Sequence, residues 1–214
     1  VAEHEGDIYI DLASRNHNAI RITRSGWTVV DKPPVKFVRS PAELELPVPL
    51  RGGDLNDLRR FLNITNEDSF KMLLYWIIYS FSPIGPYPIL VLNGEPGSGK
   101  SSMMGVAKAL IDPSMASNRF LPASARDLFI SAINSWILDY DNLSGCPIWL
   151  SNALCMIATK GSFATRGIYT DDGEAIFPVM RPLIMGGIED IAVRSDFAER
   201  AIVLNFPQID RKLR

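Results

Sequence analysis

Eight residues carry the plainest chemistry in this chain. Gly94-Glu95-Pro96-Gly97-Ser98-Gly99-Lys100-Ser101 fits the phosphate-binding pattern G-x-x-x-x-G-K-[ST] in full. The apolar run Pro88-Ile89-Leu90-Val91-Leu92 before it predicts a strand, and the spacing after it predicts a helix. Glycines let the backbone curl so that its N–H groups converge on a polyphosphate, and the helix N-terminus adds partial positive charge. The pattern therefore predicts a nucleoside triphosphate site made by Gly94 through Ser101 and the adjacent Ser102. Lys100 would reach the β- and γ-phosphates, and the Ser101 hydroxyl would enter a Mg²⁺ shell.

Such a site needs a carboxylate on a neighbouring strand to hold the magnesium, and a second acid to polarise water. Trp136-Ile137-Leu138-Asp139-Tyr140-Asp141-Asn142 reads as a buried parallel strand with acids at its C-terminal end. Asp139 and Asp141 both qualify, and Asp141 closes the apolar run more cleanly. Asn142 then falls where a catalytic glutamate often sits, and an amide cannot take a proton. Hydrolysis is then either weak or served by Asp139 as base.

Further along, Phe163 to Thr170 and Glu174 to Phe177 flank Asp171-Asp172-Gly173, a strong hairpin signal. Lys160, Arg166, Tyr169 and Arg181 lie on or near it. Cations with an aromatic can track a phosphate backbone and stack a base, so a single-stranded DNA contact and an ordinary charged surface stand about level. Arg194 and Arg200 bracket a short polar segment before the last strand. Either could stabilise transition-state charge in a neighbour's site, but a surface ion pair is the plainer reading of the residues alone.

The elements around these residues follow from pattern. Residues 7–12, 19–23, 27–30 and 35–38 read as short strands of a small antiparallel unit. Pro41, Pro47 and Pro49 mark a linker. Leu55, Leu58, Phe61 and Leu62 have helical spacing, and residues 66–80 are apolar nearly all round, as in a buried helix. Ser124-x-x-Asp127 is a capping box for a helix to about Asn134, and Leu150 to Ala158 predicts another. Arg181 to Gly187 and Ala201 to Phe206 are further core strands. The division is residues 1–49 as β unit and linker, 50–86 as helical subdomain, and 87–214 as nucleotide-binding core.

Composition narrows the classes. The 214 residues are 47% hydrophobic with a formal charge of −2, and mean hydropathy is +0.07. Those values suit a packed interior and argue against a strongly basic nucleic-acid domain. Cys146 and Cys155 have no ligand spacing and read as reduced thiols, in keeping with a reducing cytoplasm. The apolar run from Met72 to Phe81 is too short to span a bilayer. The chain begins at Val1 and reads as a piece of a longer polypeptide.

Taken in order, the motifs resemble the superfamily-3 helicase group, related to AAA+ ATPases, including primase-helicases of phages and mobile elements. The segment from Ala158 to Tyr169 resembles that group's basic hairpin. Asp139-Tyr140-Asp141-Asn142-Leu143-Ser144 resembles the acidic motif of its bacterial mobile-element branch, and Arg181 to Asp190 resembles the sensor strand. The resemblance implies an α/β P-loop NTPase core of the ASCE/AAA+ kind, with a parallel sheet and an inserted β-hairpin. It further implies a homo-oligomeric ring (a hexamer), ATP hydrolysed between subunits, and hairpins gripping single-stranded DNA. Fused or separate replication partners follow too. On that footing Arg200 is the first trans-acting arginine and Arg194 the second. Two departures stand out: Gly186 or Gly187 occupies the place of a sensor asparagine, and Asn142 that of a glutamate. The expected function is the ATP-hydrolysing motor of a replicative DNA helicase. The rivals are a nucleotide switch with little hydrolysis and, behind it, a small-molecule P-loop kinase.

Overall fold

The computed structural model describes residues 1–159, 161–166, 174–188, 191–192 and 194–210. Four short strands open the chain: β1 (Ala2–His4), β2 (Asp7–Asp11), β3 (Ala19–Thr23) and β4 (Gly26–Val30). They pair antiparallel in sequence order, with Ile8 opposite Ile22 and Ile10 opposite Ile20. Strand β1 is an addition to the pattern reading. Residues 35–38, expected as a strand, form none. Pro33 and Pro34 lack the N–H that a ladder needs, and Val38 is 96% exposed, so nothing there would bury a strand face.

A linker leads to a 3₁₀ turn at Leu55–Phe61, shorter and tighter than the α-helix its spacing suggests. Helix α1 (Glu67–Tyr79) starts on Asn66, whose side chain accepts from the N–H groups of Asp68 and Ser69. Its apolar content suggests burial all round, but only Phe70, Leu73, Trp76 and Ile77 are covered. Met72, Tyr75 and Ile78 face outward because one side of the helix alone meets the sheet. Trp76 fixes that docking by donating Nε1–H to the Pro88 carbonyl at 2.9 Å.

The core is a parallel sheet of β5 (Ile89–Asn93), β6 (Leu138–Leu143), β9 (Leu183–Gly187) and β10 (Ala201–Asn205), in the order β10-β5-β9-β6. Its strands are apolar on both faces, as a sheet covered by helices requires. Leu90, Leu92 and Ile184 pack with Met103, Met104 and Ala107 of α2 (Lys100–Ile111) and with α1. Ile89, Val91, Tyr140 and Met185 pack with α3 (Ala125–Asn134) and α4 (Ile148–Thr159). Ser124 caps α3 by accepting from the Asp127 N–H, as the capping box predicts. A single parallel bridge between Arg119 and Tyr140 extends the sheet beyond β6.

Strands β7 (Gly161–Arg166) and β8 (Glu174–Val179) form a separate antiparallel pair, with Arg166 opposite Glu174. Its root lies beside the end of α4 and the start of β9, at the N-terminal edge of the parallel sheet. A four-residue helix, α5 (Ser195–Ala198), precedes β10. The architecture is mixed α/β, a four-stranded parallel sheet with a four-stranded antiparallel sheet and a two-stranded antiparallel pair. Among the described residues, no helix is long and apolar enough to cross a membrane.

Candidate nucleotide site

The loop from Gly94 to Gly99 joins β5 to α2 at the C-terminal edge of the sheet. Gly97 and Gly99 adopt φ of 77° and 88°, where a side chain would be strained. Gly94 has no room for one: a Cβ there would lie 2.6 Å from the Phe206 carbonyl oxygen. Ser98 is fully buried beneath the loop. Lys100, 8% exposed, points its ammonium into the curl. Its Nζ donates to the Gly94 carbonyl at 2.5 Å, the Glu95 carbonyl at 3.1 Å and Ser98 Oγ at 3.3 Å. Burial holds the Lys100 pKa below its ordinary value, while Asp141 pulls it back up. A cation caged by neutral carbonyls is a ready partner for a ligand bringing negative charge.

Pro96 to Ser102, Asp141, Asn142 and Ile188 line one cleft of about 300 Å³. The strand order explains how Asp141 gets there. Strand β9 lies between β5 and β6, so the carboxylate must reach across it toward the loop. Gly186 on β9 makes the passage: a Cβ there would sit 2.5 Å from Asp141 Oδ1 and 2.9 Å from Met104 Sδ. Asn142 adopts a left-handed φ of 57°, tolerated better by asparagine than by most residues, where the β6–β9 register slips. Its N–H donates to Asp141 Oδ1 at 2.8 Å, which holds the carboxylate in place.

Asp139 takes another position. It is fully buried and accepts from the Asn118 N–H, with Lys108 Nζ at 3.8 Å and Arg119 Nη2 at 3.9 Å. Burial raises its pKa and Lys108 opposes that rise. Although two residues from Asp141 on the same strand face, it serves the interior and does not line the cleft.

The arginines are placed apart from this cleft. Arg194 makes a two-pronged ion pair with Asp196 at 2.9 and 3.0 Å. Arg200 is exposed and donates to the Asp196 carbonyl. The Ile89 N–H donates to the Arg200 carbonyl, which places Arg200 at the start of β5, at the sheet edge opposite the loop. Arg181 lies inside: its Nε donates to the Ala132 and Ser135 carbonyls, and its guanidinium stacks 5.0 Å from the Trp136 ring centroid. These bonds tie Arg181 to the C-terminal end of α3. Lys160, Tyr169 and residues 171–173, where the sequence predicts a hairpin turn, lie outside the described residues. Arg166 ends β7.

Sequence reasoning missed Asn63, whose Nδ2 donates to the Ser98 carbonyl at 2.9 Å and the Pro207 carbonyl at 2.6 Å. It missed Asn118 too, which donates from Nδ2 to the Ser101 carbonyl at 3.4 Å. Neither stands in a motif; each is brought to the loop by a fold-level crossing. Among the described residues no cluster of three His, Cys, Asp or Glu side chains could hold a metal by itself. The Ser101 hydroxyl and the Asp141 carboxylate on one cleft fit a hard cation that takes its other oxygens from phosphate and water.

Comparison with known proteins places the chain. Residues 55–213 match the family model described as Actinomycete integrative conjugative element replication protein. The fold is similar to the A-form apo structure of the NrS-1 C-terminal region, with a TM-score of 0.53 and 11% identity. That alignment covers 95% of this chain and 59% of the other. A second structure of that region gives a TM-score of 0.50 and 13% identity over 88% of this chain and 44% of the other. The chain thus spans less than two thirds of those proteins, and at such identity the likeness is one of fold. No curated protein matches the sequence significantly. Since the family match covers well over half its length, the chain belongs to the replication proteins of actinomycete integrative conjugative elements.

Proposed function

We propose that the chain is the ATP-binding and hydrolysing motor domain of a replicative DNA helicase of the primase-helicase kind, a P-loop core acting on single-stranded DNA. The observation that carries the reading is the shared cleft. It gathers the loop from Gly94, Lys100, Ser101 and Asp141 on one sheet edge. The loop N–H groups and Lys100 bind and orient the polyphosphate. Lys100 leaves the Gly94 and Glu95 carbonyls for phosphate oxygens, exchanging neutral acceptors for charged ones. Ser101 and Asp141 would hold Mg²⁺, which neutralises charge on the transferring phosphoryl group. Arg200, at the far edge from its own cleft, is placed to act on a neighbouring subunit's ATP.

A second reading has a specific observation behind it. Asn142 stands beside Asp141, Gly186 offers no side chain, and Asp139 is committed to the interior. Among the described cleft residues, Asp141 is the one carboxylate, so a nucleotide switch with slow turnover is the runner-up. Replacing Lys100 with alanine separates the two. ATPase activity in the assembled wild type with single-stranded DNA, lost in Lys100→Ala, supports the motor. Tight ATP binding with no activity above that variant supports the switch.

A further inference from the structure

Asn63 lies between the 3₁₀ turn and α1, outside the cleft, yet it grips the phosphate loop. Its Nδ2 donates to the Ser98 carbonyl and, with its other hydrogen, to the Pro207 carbonyl beyond β10. The peptide joining Ser98 to Gly99 is planar and trans, so its carbonyl and its N–H point in opposite directions. With the carbonyl drawn outward to Asn63, the Gly99 N–H is turned inward, the direction a bound phosphate requires. The loop does not fix this orientation by itself. Gly99, at φ of 88°, has wide backbone freedom, and so does Gly97 at 77°. The Ser98–Gly99 peptide turns over by rotating ψ of Ser98 and φ of Gly99, and the glycine side of that rotation meets no Cβ, so turned over it would face a polyphosphate with a carbonyl oxygen.

The surroundings back the assignment. Asn63 is half-buried, and a Cβ built on Gly99 would lie 3.6 Å from Asn63 Cβ and 3.5 Å from Ile209 Cδ1. The loop is therefore backed on its outer side by the linker of the helical unit and by the segment after the last strand. We infer that Asn63 is a positioning residue that holds the Ser98–Gly99 peptide with its N–H turned into the phosphate site. This rests on the loop being a polyphosphate site.

The test is calorimetric titration of the protein with Mg-ADP and with Mg-ATP, alongside thermal unfolding without nucleotide. Asn63→Ala should weaken both nucleotides about tenfold, the worth of one well-placed hydrogen bond. Asn63→Asp should weaken them more, although it matches asparagine in size. A carboxylate can only accept, so it repels the Ser98 carbonyl and draws the Gly99 N–H outward. Asn63→Gln, which keeps the donor, should recover part of the loss. Wild-type binding with an unaltered affinity in Asn63→Asp overturns the inference. So does an equal loss in Asn63→Ala and Asn63→Asp accompanied by an equal fall in unfolding temperature, which would mark a packing role. Failure of the wild type to bind either nucleotide strikes at the loop's reading as a phosphate site, a result distinct from indifferent Asn63 variants.

Discussion

Gly186 shows how much of this site depends on a missing side chain. From the motifs it counts as a departure, because a glycine stands where the resemblance leads one to expect a polar sensor. In the structure it is the gap through which Asp141 reaches the loop, with 2.5 Å between the built Cβ and the carboxylate oxygen. Gly186→Ala should push the carboxylate aside and crowd Met104. Magnesium-dependent nucleotide affinity, measured by titration with and without the metal, should fall at least tenfold, while metal-free affinity changes little. Equal affinity in the two proteins would show that Asp141 does not meet the metal. The loop itself is readable from the sequence because every feature of it is local: glycines, a lysine and a flanking strand and helix. Asp139 and Asp141 are not separable in that way. Both lie at the end of an apolar run, which favours Asp141 only slightly, and the sheet order and the position of Lys108 show which of them faces the cleft.

At the scale of elements, α2 and β6 are joined by a buried charged cluster that pattern reading does not reveal. Lys108 is 2% exposed and donates at 2.7 Å to both Asp112 Oδ2 and the Ile137 carbonyl. Asp112 in turn accepts from the Trp136 and Ile137 N–H groups at 2.9 and 3.0 Å, which fixes the start of the acidic strand. Lys108→Met leaves Asp112 and Asp139 without their shared cation. It should destabilise the fold by roughly 3–5 kcal/mol in chemical denaturation. Asp139→Asn should be far milder, because burial already disfavours that charge. A carboxyl with a raised folded pKa binds its proton more tightly folded than unfolded. It therefore adds stability as pH falls through the folded value, levelling off below the unfolded value of about 3.8. Removing the titrating group by Asp139→Asn should flatten this part of the stability profile, and an unchanged profile would place the titration elsewhere. Most helices and core strands are readable within a few residues, since 3.6-residue spacing and unbroken apolar runs announce them. Residues 35–38 and the outer face of α1 are not, because hydrophobic content says nothing about whether a partner surface exists.

Across the whole molecule, the N-terminal sheet, the linker and the core are clasped by contacts that no motif foretells. Arg39 holds Asp11 through two hydrogen bonds of 2.7 Å, tying the linker to the N-terminal sheet. The Leu44 N–H then donates to the Pro113 carbonyl and the Met115 N–H to the Ala42 carbonyl, tying the same linker to the core. Arg200 and the root of the β7–β8 pair share the sheet edge opposite the cleft, so on the proposed motor reading the loop and the candidate DNA and trans elements lie on different sides of one subunit. Assembly would bring them together. Mixing Lys100→Ala with Arg200→Ala should then restore ATPase activity that neither has alone, because some interfaces would pair an intact loop with an intact arginine. Strictly additive inactivity would remove Arg200 from the mechanism. Arg166→Ala should weaken single-stranded DNA binding while leaving ATP affinity unchanged, as read by fluorescence anisotropy.

The most direct test of the motor reading is ATPase rate against protein concentration, with and without single-stranded DNA, for wild type and Lys100→Ala. The shared-site account predicts that wild-type activity per subunit rises with concentration, increases further with DNA, and disappears in the variant. A wild type that hydrolyses no ATP above Lys100→Ala at any concentration, with DNA present, would contradict it.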